Sequence, residues 1–452
     1  MRKLVAVLGA VLFVGALNMV LLAPAPLSGT RQAGGGASAS ENDAMDARKD
    51  VIFVSVASFR DPLCPLTLAS ALLAARRPQR VVFGLVDQGV ASEPDGEPDA
   101  ASFEPCAQAL ERLYGDEIRV ATGCPDPGPF DCSGFLREIR VSEADSRGPA
   151  VARAMATSLL HGNDAYYMQI DSHTVFGPHW DTALIRMLNE AAELHNRHHD
   201  CTDGLDHAVI SSYPNEYSAD MTACDDELHC TVRAAAKDAH ASALGADAAV
   251  NCISFIEPNI RLTFHQAMGF APTVRVAKWS GLWAAGLSFS RASVWRAVPY
   301  VSDLNFLFHG EELLHAARLF THGIDIFAPS SNVVYHKYAG RKSGSVYTSA
   351  AYGSSSAAIL THKSAAKAKH LLGAPLSPAE SIHLELPIPP ADALGTARSL
   401  DDFWAYTLID IQNLVFGERC VNTSSPDGAY LNMLPSVHAS PTWRPLNPPS
   451  LD

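Results

Sequence analysis

VIFVSVASFRDPLCPLTLASALLAARRPQRVVFGLVDQ, residues 51–88, sets two apolar runs on either side of a helix-spaced segment. VIFVSVASF (51–59) and RVVFGLVDQ (80–88) are too continuously apolar to have a wet face and read as buried strands. The apolar spacing from Leu66 to Ala75 predicts a helix between them. Strand, helix and strand form a βαβ unit with two parallel neighbours in one sheet. Such sheets gather ligands at the carboxyl ends of their strands. The crest ASFRDP (57–62) lies at such an end, so Ala57, Ser58 and Arg60 are candidate contacts for a base and ribose. The plain alternative is an Arg60–Asp61 surface pair.

The pattern continues outward. IRVATG (118–123) reads as a third strand, and CPDPGPFDCSG (124–134) as a turn-rich loop. GPAVARAMATSLLH (148–161) predicts a helix with Pro149 in its first turn. AYYMQID (165–171) is a strand, HWDTALIRMLNEAAELHNRHH (179–199) a helix and AVISSYP (208–214) a strand. Residues 215–250 are an acidic, Ala-rich insertion without an assignment, and 251–278 read as loops and short strands. LWAAGLSFSRASVWRAV (282–298) turns a short strand into a helix. EELLHAARLFTHG (311–323) is a helix stopped by Gly323, followed by the strand pair IDIFAP and NVVYH (324–336). SGSVYTSAAYGSSSAA (343–358) reads as a low-complexity loop, LTHKSAAKAKHLLG (360–373) as a helix, and 435–452 as a tail. The fold class is α/β, a mostly parallel sheet flanked by helices.

The chain has 452 residues and a formal net charge of −14, which argues against a nucleic-acid partner. Residues 4–23, LVAVLGAVLFVGALNMVLLA, follow Arg2 and Lys3 and have about the length needed to cross a bilayer. A signal anchor is the preferred reading, with a cleaved signal peptide as the alternative at Ala23-Pro24-Ala25. Residues 24–48 have linker composition. An anchor, a stem and a body at 49–342 with an extension at 343–434 predict a single-pass protein of the Golgi or another secretory membrane, its catalytic domain lumenal. Nine cysteines fit an oxidising compartment but leave the pairing open, and Asn422-Thr423-Ser424 is a glycosylation sequon.

Chemistry concentrates in a few places. In Asp171-Ser172-His173, strand alternation sends residues 171 and 173 to the same side, where a carboxylate and an imidazole can share a divalent cation. His336, ending another apolar strand, offers a third ligand. A strand-end turn capped by Asp171 and Ser172 is the bland reading. Cations for a diphosphate are at hand in Arg147, Arg153, Lys337 and Arg341, with Gln169 and Ser172 as further donor contacts. Glu311 and Glu312 open a helix after Gly310, where carboxylates suit the macrodipole; the functional reading makes one of them a base or an orienting group for an acceptor hydroxyl. Trp279, Gly281, Trp283 and Gly286 read either as a sugar platform or as core. In HNRHHD (195–200), histidines in a helix's last turn suit its dipole, and a separate zinc site is the lesser reading.

Taken together and in order, IFVSVASFRDPLC, RVVFGLVDQ, RGPAVAR, YYMQIDSHTVF…HWD, WAAGLSFS, FHGEE…RLFTHGIDIFAP and VVYHKYAGRK resemble the family 60 glycosyltransferases, polypeptide α-N-acetylglucosaminyltransferases with a GT-A fold. The resemblance runs from about residue 50 to about 342. It implies a UDP-GlcNAc donor, a divalent cation (usually manganese), retention of the α linkage and a polypeptide acceptor hydroxyl. It carries metal ligation onto Asp171, His173 and His336, nucleotide contact onto the Ala57–Arg60 crest, and the acceptor-side carboxylate onto Glu311 or Glu312. The apparent anchor departs from the cytoplasmic members that act on hydroxyproline and points to Thr, Ser or hydroxyproline of a secreted protein. Alternatives are another UDP-sugar, a sugar-binding descendant without activity, and a metallo-phosphoesterase. The last would need downstream GDxxD and GNH[DE] blocks; the Gly162-Asn163-Asp164 run lies upstream and lacks the histidine.

Overall fold

A computed structural model describes residues 50–89, 103–123, 135–216, 249–257, 263–270, 278–338, 345–407, 409–413 and 415–416, with backbone alone for 249–257, 263–270, 278–279 and 415–416. The apolar run 4–23, the stem, most of the 215–250 insertion, the loop 124–134, Arg341, Asn422 and the tail lie outside the described residues. Among the described residues no helix is long and apolar enough to cross a membrane.

In chain order the elements open with β1 (Ile52–Phe59), α1 (Cys64–Ala74), β2 (Val81–Gln88), α2 (Cys106–Thr122), β3 (Leu136–Val141), α3 (Pro149–Thr157), β4 (Tyr166–Asp171) and β5 (Thr174–Phe176). Next come α4 (Trp180–His199), β6 (Ala208–Ser211), β7 (Asn215–Glu216), β8 (Ala249–Glu257), β9 (Thr263–Phe270), β10 (Lys278–Ser280), β11 (Leu287–Arg291) and α5 (Ala292–Ala297). The chain goes on through α6 (Glu311–Thr321), β12 (Asp325–Ala328), β13 (Val334–His336), α7 (Ser355–Leu371), α8 (Pro378–His383), α9 (Leu400–Thr407), β14 (Ile409–Asp410) and β15 (Val415–Phe416).

Eight strands form the main sheet in the order β10-β12-β6-β11-β4-β1-β2-β3. β1 pairs in parallel with β2 and β4, β2 with β3, and β6 with β12, while β11 and β10 run the other way. Period-2 alternation divides the apolar side chains between the two faces. Ile52, Val54, Val56, Phe83, Met168 and Ile170 pack on one side with α1 and α4. Phe53, Val82, Tyr167 and Val209 pack on the other with Trp295, Leu314, Ala368 and Phe403, from α5, α6, α7 and α9. Both faces are therefore covered, as a largely parallel sheet requires.

The fold differs from the expectations at several points. Residues 118–123 continue α2 rather than forming a strand, and the third strand is β3. Residues 249–257 and 263–270 form an antiparallel hairpin of two full-length strands. IDIFAP and NVVYH do not pair with each other: β12 belongs to the main sheet, and β13 to a three-stranded sheet ordered β5-β13-β7. The low-complexity run enters α7, whose N-cap Ser354 accepts a hydrogen bond from the Ala357 backbone N–H. Cys64 and Cys106 form a disulfide, closing a sequence separation of 42, and Cys201 is reduced.

Candidate active site

β4 ends at Asp171, and after Ser172 and His173 the chain enters β5 of the small sheet at Thr174. β5 pairs antiparallel with β13, setting His336 opposite Thr174, and the Lys337 backbone N–H donates to the His173 carbonyl at 3.1 Å. This ladder brings a residue 163 positions away beside His173; the two rings meet edge to face at 4.5 Å. Asp171, His173 and His336 each offer a ligand atom, all within 4.8 Å of one another. Asp171 is about a quarter exposed, so the group is open to a ligand.

Two members of this group, His173 and Asp171, are held from behind. Asp61 Oδ2 accepts from Ser172 Oγ at 2.7 Å and lies 2.6 Å from His173 Nδ1. A carboxylate only accepts, so Nδ1 carries the proton and Nε2 is the atom suited to a metal. Asp61 Oδ1 in turn accepts from the Leu63 N–H, and the Cys64 N–H donates to the Asp61 carbonyl. The disulfide thus starts three residues from this carboxylate. Asp171 Oδ1 accepts from Arg153 Nη2 at 2.9 Å, and Oδ2 lies 3.1 Å from His336 Nε2. Burial works against the Asp171 charge, but the His336 hydrogen bond and the Arg153 guanidinium outweigh it and hold the carboxyl well below the usual carboxylate range.

Arg153 is buried on α3 and reaches two carboxylates at once, giving its other nitrogen, Nη1, to Glu311 Oε1. Gly310, at φ +96°, takes the left-handed turn that starts α6 with Glu311 and Glu312 in its first turn. Their environments then diverge. Glu311 is 4% exposed; burial and the nearby Glu312 and Asp171 charges push it up to about 7, against the pull of Arg153. Glu312 is partly exposed, accepting from the Ala285 N–H at 2.8 Å and from the Tyr213 hydroxyl. Burial raises its pKa as well.

Gly286 follows Ala285, and a Cβ there would lie 3.0 Å from Pro214 Cδ and 3.8 Å from Asp171 Oδ2. The missing side chain therefore keeps the chain close between Glu312 and Asp171. Gly281 does not belong here: its Cβ would meet Thr407 and Tyr406 of the C-terminal segment. Trp283 is fully buried, donates to Ser288 Oγ and packs on Trp295, Tyr300 and His315. It is core and presents no platform, because stacking on a sugar needs an open face. For Trp279 only the backbone is described, opposite Phe327 in the sheet.

The donor-side candidates separate in the same way. Arg60, at φ +47°, donates to the Gly89 carbonyl at 3.1 Å and pairs with Glu143 at 2.5 Å, at the carboxyl ends of β1 and β2. The plain alternative, an Arg60–Asp61 surface pair, gives way to an Arg60–Glu143 pair, while Asp61 turns inward to residues 172 and 173. Ala57 is partly open and Ser58 buried. Arg147 is held by the Ala144 and Ser146 carbonyls and lies 6.0 Å from the Phe306 ring centre. Gln169 is fully buried in the sheet and donates to the Ile170 carbonyl, and Ser172 is turned onto Asp61, so neither side chain faces the cleft. Lys337 is half-buried beside the small sheet.

The sequence reading gives Asp61 only a surface pair and gives Tyr213 no role; both take part in the site. Asp61 had one available signal, its place directly after the first strand; Tyr213 had a similar one, at the end of AVISSYP.

An α/β sheet with its acids, imidazoles and guanidinium gathered at strand carboxyl ends has the layout of a ligand-handling protein. The chain matches the model of the glycosyltransferase (GlcNAc) family over residues 51–413 and belongs to that family. Among solved structures it is similar to GalNAc-T7, crystallised with UDP, GalNAc and Mn2+, at 12% identity and a TM-score of 0.41. That similarity covers 71% of this chain and 48% of the other, so the chain spans about half of that protein's length. No curated protein matches the sequence.

Proposed function

We propose that the chain transfers GlcNAc from UDP-GlcNAc to a hydroxyl of Thr, Ser or hydroxyproline in a polypeptide, with retention of the α linkage and with a divalent cation, manganese by preference. The observation that carries this reading is the meeting of Asp171 at the end of β4, His173 in the turn that follows and His336 at the end of β13 at one open point, in a chain of the glycosyltransferase (GlcNAc) family. One carboxylate and two imidazoles suit a divalent transition ion as a class; the preference for manganese rests on the family resemblance and not on the donor set. Asp171, His173 and His336 would hold such a cation, which would supply charge neutralisation for a departing diphosphate.

The chain's own groups then divide the work. Arg153 keeps Asp171 ionised and fixed through Oδ1, leaving Oδ2 on the side of the two imidazoles. Asp61 sets the His173 tautomer. Glu312 is the acceptor-side carboxylate, since it is the more exposed of the pair and is aimed by Tyr213 and the Ala285 N–H. Glu311 holds Arg153 and stays behind it. The acceptor oxygen attacks from the face that the diphosphate vacates. The Arg60–Gly89 crest receives the nucleoside. The body works on the lumenal side of a secretory membrane, anchored through residues 4–23, and the Cys64–Cys106 disulfide supports an oxidising compartment.

The test is UDP release and product formation by the protein with manganese, a panel of UDP-sugars, and peptides containing Thr or hydroxyproline. UDP-GlcNAc is expected to lead the panel, and Asp171→Ala to abolish turnover. Faster transfer from UDP-glucose or UDP-galactose overturns the donor, and full turnover in Asp171→Ala overturns the site.

A further inference from the structure

Three groups outside the cleft remain unused by this chemistry: the histidines at the end of α4, the aromatic nest around His315, and the exposed apolar residues Ile359, Ile382 and Leu386 near α7 and α8. The first carries furthest. His195 and His199 stand one helical turn apart on the same face of α4, and Asp325 opens β12 from a different part of the chain. The Asp325 Oδ2 atom lies 2.7 Å from His195 Nδ1 and 3.0 Å from His199 Nε2. One ligand atom from each residue lies within 4.8 Å of the other two. The three side chains are 0%, 4% and 3% exposed.

Arg398 Nη1 lies 2.8 Å from Asp325 Oδ1 and already balances the buried carboxylate. Two further imidazoles on the remaining oxygen are more than neutralisation requires. They make a donor set of two nitrogens and one oxygen, whose ordinary partner is zinc or a neighbouring transition ion. The Arg398 contact is on Oδ1, the oxygen away from the two imidazoles, and it fixes the carboxylate plane in the manner of an outer hydrogen-bonding partner. The His207 ring stacks on His195 at 5.4 Å and limits its rotation.

The location separates this group from the cleft. Asp325 pairs with Ala208 at the amino end of β6, whereas Asp171 ends β4; β4 and β6 run the same way on either side of β11. Five residues of strand separate the two levels, about 16 Å along the sheet.

We propose that His195, His199 and Asp325 form a second, buried site for a zinc-type divalent ion, which ties the end of α4 to the start of β12 in a structural role. This is independent of the reading of the cleft. The ion replaces two imidazole hydrogen bonds to Oδ2 by coordination from Nδ1 of His195, Nε2 of His199 and Oδ2 of Asp325, the imidazole protons moving to the other ring nitrogens.

The experiment uses the full chain carrying Asp171→Ala and His173→Ala, which removes the cleft group. After incubation with zinc and gel filtration, atomic emission is expected to read one zinc per chain. Adding His199→Gln is expected to lower this below a tenth, and X-ray absorption of the parent to show nitrogen and oxygen neighbours at about 2.0–2.2 Å. Zinc is expected to raise the unfolding midpoint of the parent and to leave that of the His199→Gln chain unmoved. If His199→Gln fails to fold, Asp325→Asn and the absorption spectrum of the parent decide instead. No retained zinc in the folded parent, an unchanged stoichiometry in a folded His199→Gln chain, or a sulfur neighbour in the spectrum overturns the proposal.

Discussion

The His173 imidazole meets the Asp61 carboxylate at 2.6 Å, across 112 residues of sequence, and that contact decides which ring nitrogen faces the cleft. Asp61→Asn keeps the shape but exchanges a charged acceptor for an amide. Loss of such an outer partner typically lowers metal affinity about 10–100-fold. Manganese titration of UDP release is the check: the half-saturating concentration rises, and turnover recovers when manganese is in excess. An unchanged titration curve counts against Asp61 as a positioning residue.

Arg153 is the one cation joining Asp171 to Glu311 among the described residues. Arg153→Met leaves two carboxylates facing each other without it, and breaking a buried pair from one side costs about 3–5 kcal/mol. Urea unfolding measures this. Arg153→Lys is expected to rescue it poorly, since one ammonium does not span both acceptors as the guanidinium fork does.

Glu311 has its pKa pushed from 4.5 up to about 7 by burial and by its acidic neighbours. Between those values the folded chain keeps a proton that the unfolded chain has lost. Its contribution is therefore fully present below pH 4.5 and is lost as the pH rises through 7. The slope reaches at most about 1.4 kcal/mol per pH unit. Metal-free unfolding of the wild type and of Glu311→Gln, measured across that window, is expected to differ in this slope; parallel curves refute the assignment.

Tyr213 donates its hydroxyl to Glu312. A hydrogen bond to a charged group is worth about 1.5–3 kcal/mol. If Glu312 handles the acceptor, Tyr213→Phe lowers transfer to peptide roughly 10–100-fold while donor hydrolysis changes less. Equal losses in both reactions place the residue elsewhere in the mechanism.

The Cys64–Cys106 bridge closes a long loop between the first residues of α1 and α2. Removing it through Cys106→Ser is expected to cost about 2–4 kcal/mol. Because Asp61 stands three residues from Cys64, manganese affinity should weaken in the same variant, read by the same titration.

The βαβ opening and the long helices were legible because their apolar periods persist for many residues. Residues 118–123 misled because six residues rich in Ile, Val and Thr look like a strand by themselves. Read with what precedes them, they close a 17-residue helix in which Cys106, Ala109, Leu110, Ile118 and Thr122 are buried, while Val120 is 85% exposed. At the site, Asp171, His173 and His336 were marked by strand-end positions. The outer contacts were not: Asp61 to Ser172 spans 111 residues and Tyr213 to Glu312 spans 99, and no local period records such a meeting. Trp283 could have faced a sugar or the core, and only the fold reveals that the core takes it.

His336 reaches the cleft through a ladder separate from the main sheet, opposite Thr174 on one side and Glu216 on the other. Loading the cleft and holding that ladder shut are consequently linked equilibria. Whatever grips His336 also slows the opening of β13, and amide exchange at Tyr335 becomes a gauge of occupancy readable without any turnover.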